Sequence, residues 1–296
     1  MADAVAGRES QVVLGLDPDP ARLWPGALRT APADGPAARR AAAAVAAHCR
    51  ALIDAAGPAC VAAKPQLACF ERLGAPGWAA LQAVIDHARA AGLIVLADAK
   101  RGDIAVSAAA YGQALVGATP TPFGDVEGLR ADAFTASPYL GIDTLEVLLE
   151  AARAARAGMF VLVRTSNPGA ADVEDAPLAT GGPLWERVAA IVADLGRPGA
   201  GAAGLADVGA VVGATVPEHV ARMRELMPAT IFLLPGIGAQ GGRVEDLAPA
   251  FAPGRAAGLI TASRSIATAH ETHGGAPEAA ARAEAERLRE AAWALA

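Results

Sequence analysis

The sequence predicts an α/β protein folded as a single (β/α)8 TIM barrel over residues 1–296. Three observations lead there. Eight short β-rich runs recur, each followed by an Ala/Leu/Arg-rich stretch of helical character, and alternating β and α elements imply a parallel sheet. Runs such as Ile94-Val95-Leu96 and Phe160-Val161-Leu162-Val163 are apolar on both faces, as strands covered by helices must be. Polar residues stand at the C-terminal end of nearly every run: Asp17, Lys64, Asp98 with Lys100, Ser137, Ser166, Thr215, Gln240 and Arg264. An open sheet would gather them at one switch point instead.

Taken in order, the first strand is Gln11–Asp17 and its helix is Ala37–Ala56, rich in alanine, the strongest helix former. Cys60–Gln66 leads into helix Trp78–Ala91, and Leu93–Lys100 is the third strand. Asp132–Ser137 precedes helix Thr144–Ala157, Met159–Ser166 precedes Leu184–Leu195, and Gly209–Thr215 precedes Glu218–Met227. Ile231–Ile237 and Gly258–Ser263 close the set, and the tail from Pro277 to Ala296 reads as a closing helix. Asn167–Pro183 and Thr119–Gly128 are long loops, either lids or tolerated surface excursions. No linker-like stretch divides the chain.

Composition narrows the function. Hydrophobic residues make up 53% and charged residues 19%, enough for a large core and too apolar for a disordered chain. The net charge is −6 without a block of like charge, which argues against nucleic acid or an anionic membrane as partner. The alanine-rich tract Ala41–Ala47 is closed by His48, Cys49 and Arg50, far short of the ~20 apolar residues of a membrane span. Met1–Ser10 carries Asp3, Arg8 and Glu9 and no apolar core, so it does not read as a signal peptide. Cys49, Cys60 and Cys69 match no zinc or redox spacing and read as reduced thiols of a cytoplasmic protein. The five histidines show no metal-ligand spacing, so no metal is expected.

One compositional fact is sharper. Of the 25 basic residues only Lys64 and Lys100 are lysines. Lysine supplies a compact point charge and can give up a proton; arginine does neither. A chain that otherwise uses arginine marks these two positions for chemistry.

Lys100 stands in Asp98-Ala99-Lys100-Arg101-Gly102-Asp103. Residues two apart on a strand share a face, so Asp98 and Lys100 point the same way, into the barrel, while Ala97 and Ala99 face helices. Asp103 lies beyond the strand, after Gly102 lets the chain turn. An ordinary ion pair at a strand end is the competing reading. Lys64 ends the neighbouring strand, however, so both lysines and two aspartates meet over one mouth. Neighbouring carboxylates favour a charged lysine, whereas a Schiff-base lysine must be neutral. A fixed ammonium instead stabilises a developing carbanion and then protonates it. One charge pair at ~4 Å and an effective dielectric near 20 is worth about 4 kcal/mol, roughly a thousandfold in rate. Substrate binding and water exclusion must supply the remainder.

Pro235-Gly236-Ile237-Gly238-Ala239-Gln240-Gly241-Gly242 follows the seventh strand and Ala262-Ser263-Arg264-Ser265 the eighth. Glycine-rich turns are common by themselves. Paired with Arg264 on the next strand, this loop takes the position of the phosphate cradle of such barrels. Asp17, in Gly15-Leu16-Asp17-Pro18, is suited to sugar hydroxyls or to a turn. Ser166, in Thr165-Ser166-Asn167-Pro168-Gly169, is suited to a heterocycle or to capping its loop.

Together with Lys64-Pro65-Gln66, Ser137-Pro138-Tyr139-Leu140-Gly141 and Val212-Gly213-Ala214-Thr215, these segments resemble the orotidine 5′-phosphate decarboxylase family in its longer bacterial form. They run in order from about residue 11 to about residue 270. The set is far more specific than any member of it. The resemblance implies a homodimer with shared active sites, converting orotidine 5′-monophosphate to uridine 5′-monophosphate (UMP) and CO2 without metal or cofactor. It implies that Lys64, Asp98 and Lys100 form the charged array with Asp103 reaching in from the partner subunit. Lys100 would then protonate C6 of the pyrimidine and Asp98 would face the departing carboxylate. Asp17 would bind ribose and Ser166 the pyrimidine, with Gln240, Arg264, Gly238 and Ser263 around the phosphate. Thr261, where relatives often carry asparagine, and Cys69, where an aromatic is common, depart from the pattern.

Three rivals differ in chemistry. A Mg2+-dependent keto-sugar-phosphate decarboxylase or synthase shares Asp-x-Lys-x-x-Asp but places an acidic metal ligand where this chain has Lys64. A catalytically dead nucleotide sensor would not keep an intact array. A Schiff-base aldolase needs the neutral lysine that the carboxylates oppose.

Overall fold

The computed structural model describes residues 1–237 and 241–295. Eight parallel strands close into a barrel: β1 Val12–Leu16, β2 Ala62–Pro65, β3 Ile94–Arg101, β4 Ala133–Ala136, β5 Gly158–Arg164, β6 Val208–Val212, β7 Phe232–Leu234 and β8 Gly258–Ala262. Each pairs with its sequence neighbour, and β8 closes on β1 with Val12 opposite Ile260. This is the expected (β/α)8 barrel.

The strands bury both faces, and the side-chain period of two separates two cores. Val12, Leu14, Val95, Ala97, Phe134, Val161 and Ile260 face outward and pack on the surrounding helices. Val13, Val61, Leu96, Phe160, Val211, Leu233 and Leu259 face inward and fill the lower barrel. The helix Ala2–Arg8 plugs that lower end with Val5, and the Arg8 guanidinium ties it down through the carbonyls of Cys60, Ala91 and Gly92.

Ala37–Ala56 is helical over its whole expected span, and the other outer helices fall within a few residues of expectation. Two segments differ locally from a plain strand-loop-helix pattern. Val244–Phe251, after β7, is a 3₁₀ helix, and in an α-helix the ring of Pro249 would clash with the carbonyl four residues back. The loop Thr119–Gly128 is closed by a short antiparallel pair, Ala118–Thr119 with Val126–Glu127. The closing helix Pro277–Trp293 lies against the first long helix and the base of β1. No helix among the described residues is long and apolar enough to cross a membrane.

Candidate active site

With Ala97 and Ala99 committed to the outer core, Asp98 and Lys100 are turned toward the barrel mouth. Lys64 Nζ lies 2.6 Å from Asp98 Oδ2 and 3.9 Å from Asp17 Oδ1, and Lys100 Nζ lies 2.5 Å from Asp98 Oδ1. Charge therefore alternates along Asp17, Lys64, Asp98 and Lys100. Two neutral donors complete the Asp98 carboxylate: Thr135 Oγ1 donates to Oδ1 at 2.9 Å and Gln66 Nε2 to Oδ2 at 3.1 Å.

The end of β3 is irregular. Its ladder with β4 shifts between Ala97 and Arg101, and Lys100 takes φ of 48°. A non-glycine residue in the left-handed region costs about 1–2 kcal/mol, and strain of this kind persists where the surroundings enforce it. Here the Lys100 N–H donates to Thr135 Oγ1 at 2.9 Å while its ammonium bonds Asp98, so both ends of the residue are held.

Burial by itself pushes the Asp98 carboxyl upward, but Lys64 and Lys100 outweigh it and hold the group well below the usual carboxylate range. Burial likewise pulls Lys64 down, and Asp98 with Asp17 outweighs it, so the ammonium is held above its ordinary value. Both groups are charged at neutral pH. Removing such a pair from water is costly and adds little net stability, which points to chemistry as the reason for it.

The array forms one wall of a cavity of about 370 Å3 at the C-terminal end of the barrel, a size typical of small-ligand sites. Leu162, Val211 and Leu233 make the opposing wall apolar. Thr165, Ser166 and Asn167 enter from the loop after β5, Pro235 to Ile237 from the loop after β7, and Ser263 with Arg264 from the end of β8. Arg264 is exposed at the rim, and among the described residues its guanidinium has no carboxylate partner. Gly15 is needed where it stands, because a Cβ there would collide with Ser263 Oγ.

Seven of the expected residues thus share one cavity: Asp17, Lys64, Asp98, Lys100, Ser166, Ser263 and Arg264. Gly238 and Gln240 lie outside the described residues. Asp103 does not line this cavity; its Oδ1 accepts the Ile104 N–H at 2.8 Å. Ser137 and Thr215 are not among the lining residues either. Two further participants carry little sequence signal. Gln66 has the same strand parity as Lys64. Thr135 is the one hydroxyl in the apolar run Ala133-Phe134-Thr135-Ala136. Among the described residues no group of three or more His, Cys, Asp and Glu side chains is placed to hold a metal ion.

Comparison with known proteins points the same way. Residues 10–283 match the model of the orotidine 5′-phosphate decarboxylase / HUMPS family. The orotidine 5′-phosphate decarboxylase of Rhodopirellula baltica is 40% identical over 274 residues, covering 90% of this chain and 87% of that protein. That of Deinococcus radiodurans is 43% identical over 238 residues, covering 80% and 82%. Among solved structures, the OMP decarboxylase of Leishmania donovani superposes with a TM-score of 0.72 at 33% identity, covering 98% of each chain.

Proposed function

The chain belongs to the orotidine 5′-phosphate decarboxylase / HUMPS family and is a decarboxylating lyase, and on that premise we propose that it converts orotidine 5′-monophosphate to UMP and CO2 without metal or cofactor. The observation that carries this reading is the alternation of Asp17, Lys64, Asp98 and Lys100 over one mouth, with Arg264 at its rim.

In the reaction the bond from C6 to the carboxylate breaks and leaves its electron pair on C6. The Lys100 ammonium stabilises that pair and then gives C6 a proton; the neutral amine recovers its proton from water. Asp98 cannot take up the proton readily, because two ammonium groups hold its oxygens. It faces the substrate carboxylate as a fixed negative charge and favours departure, while Lys64 keeps it ionised and oriented. The apolar wall of Leu162, Val211 and Leu233 suits uncharged CO2 better than a carboxylate. Asp17 binds the ribose, Ser166 the pyrimidine, and Arg264 with Ser263 the phosphate, joined by Gly238 and Gln240.

The donor set supports metal-free chemistry. A divalent cation at Asp98 would have to displace ammonium groups already bonded to both carboxylate oxygens. A Schiff base at Lys100 would first require its proton to leave the hydrogen bond to Asp98.

Asp103 completes the array from the partner subunit of a homodimer. Within its own chain it adjoins Ile104 and Val106, 61% and 84% exposed, and the loop after β4, whose Ser137 lies against Gly102, presents Tyr139, 84% exposed. Exposed apolar side chains gathered in this way mark a surface that a partner covers. The buried thiols of Cys49 and Cys60, the latter pushed up to about 12 by burial, suit a reducing cytoplasm.

The test is loss of orotidine 5′-phosphate absorbance with purified enzyme, with and without EDTA. Turnover unaffected by the chelator is expected; turnover abolished by it, and restored by Mg2+, overturns the proposal.

A further inference from the structure

The loop after β5 is fastened to its own strand by charge. Arg164, the last residue of β5 and 8% exposed, forks onto the Asp175 carboxylate through Nε at 3.2 Å and Nη2 at 2.8 Å. Its Nη1 donates to the Thr165 carbonyl at 2.6 Å. Glu174 grips the same point from the other side: Oε2 accepts the Thr165 N–H at 2.8 Å, and Oε1 accepts from Thr165 Oγ1 at 3.0 Å. The chain from Thr165 to Asp175 is thus a closed ring.

The ring is fixed at two further places. The Trp185 N–H donates to the Glu174 carbonyl at 2.9 Å, tying the loop to the helix Leu184–Gly196. The Gly213 N–H donates to the Arg164 carbonyl at 2.7 Å, and a Cβ on Gly213 would stand 2.9 Å from the Ser166 backbone. Only glycine after β6 lets Ser166 sit so close. The segment fixed in this way, Thr165 to Asn167, is the one that lines the cavity.

We infer that Arg164, with Glu174 and Asp175, is a positioning device that fixes the stem of this loop and so aims Ser166 and Asn167 at the heterocycle of the bound nucleotide. The inference rests on the nucleotide reading of the cavity. Ordering a free loop on binding costs affinity, and a loop ordered beforehand avoids that cost. Placing a guanidinium at 8% exposure costs desolvation that an apolar residue would not incur. What arginine adds is a planar fork that orients a carboxylate, which neither lysine nor a hydrophobe provides. Every partner of the fork belongs to the stem of this loop. Its removal should therefore be felt at the base-binding side of the cavity and not at the phosphate side.

The experiment measures binding of UMP and of ribose 5-phosphate, which lacks the base, by calorimetry. The proteins are the wild type, Asp175→Asn, the double variant Glu174→Gln/Asp175→Asn, and Arg164→Lys. The double variant is expected to lose about tenfold in UMP affinity while ribose 5-phosphate stays within about twofold, since a charge-assisted hydrogen bond is worth about that much. Arg164→Lys should fall between, keeping charge without the fork. In turnover, KM should rise more than kcat falls. An unchanged ratio of the two affinities in a folded variant overturns the inference, as does an equal loss for both ligands. Should the double variant not fold, Asp175→Asn alone gives the same reading. A wild type that binds UMP no better than ribose 5-phosphate instead overturns the nucleotide reading of the cavity.

Discussion

Lys64 and Asp98 form a largely buried ion pair in the cavity wall, with Nζ 2.6 Å from Oδ2 and each side chain only 7% exposed. A pair this buried gains little over two well-packed apolar side chains, yet leaving one member without the other is expensive. The asymmetry separates a catalytic charge from a stabilising one.

Asp98→Asn should destabilise the protein by about 3–5 kcal/mol, because the Lys64 ammonium is then buried without its main counter-charge. Adding Lys64→Met should recover much of that loss while activity stays absent. Urea denaturation at neutral pH reads both. A double variant no more stable than Asp98→Asn would mean that the pair is there for the fold.

Lys100→Ala should lose at least about three orders of magnitude in kcat, the worth of one close charge in a shielded site. UMP affinity should change by less than about tenfold, since the lysine acts chiefly when charge develops at C6. The position also carries backbone strain, with φ of 48°. Lys100→Gly should therefore be at least as stable as Lys100→Ala while equally inactive. Unchanged kcat in Lys100→Ala would remove the lysine from the mechanism.

Much of this site is legible in the sequence. Two lysines among 25 basic residues singled out Lys64 and Lys100, and strand parity turned Asp98 and Lys100 inward because Ala97 and Ala99 had to meet helices. The register shift at the end of β3 was not legible, since it arises from pairing with β4 and leaves no local signature. Thr135 looked like an ordinary hydroxyl in a strand, and only the approach of β4 to β3 gives it Asp98 as an acceptor. Arg164 was one arginine among many in the sequence. Its fork onto Asp175 depends on how a loop folds back, which neither period nor propensity encodes. The 3₁₀ helix after β7 does have a local sign, Pro249.

Mixing Lys100→Ala chains with Asp103→Ala chains should restore activity to a preparation in which each parent is inactive. If the partner's Asp103 completes each array, a heterodimer assembles one intact site of two, and random exchange yields about a quarter of wild-type turnover. The measurement is turnover against mixing ratio after subunit exchange, verified by mass. No recovery in verified heterodimers would return Asp103 to its own chain, where it accepts the Ile104 N–H.

Acid should weaken the fold in two stages. The Trp24 N–H donates to His48 Nδ1 at 3.2 Å, and burial, aided by nearby His270, pushes this imidazole down to about 4. Its unfolded value is near 6.5. Between those values the unfolded chain binds the extra proton, so stability falls as pH drops from about 6.5 to 4, by roughly 3 kcal/mol in all. Asp98 acts at lower pH: its folded carboxyl is depressed, so its contribution is whole above about 3.9 and is lost on further acidification. Thermal melts should show His48→Gln flattening the upper stage alone. An unaltered slope there would assign the loss to another group.

Arg264 offers the cleanest separation of binding from chemistry. Its guanidinium is exposed at the rim, away from the Lys64–Asp98–Lys100 contacts, and opens the short helix Arg264–Ala267 after β8. Arg264→Met keeps the length of the side chain and removes the fork. UMP affinity should fall by about 10–100-fold, the range for a charge-assisted hydrogen bond to phosphate. Uridine, which lacks the phosphate, should bind wild type and variant alike. Arg264→Lys should recover only part of the loss, because a point charge reaches the phosphate without bidentate geometry. The wild-type preference for UMP over uridine should also shrink with added salt, since an exposed cation is screened. If Arg264→Met weakens uridine as much as UMP, the residue shapes the cavity as a whole and the anion pocket lies elsewhere.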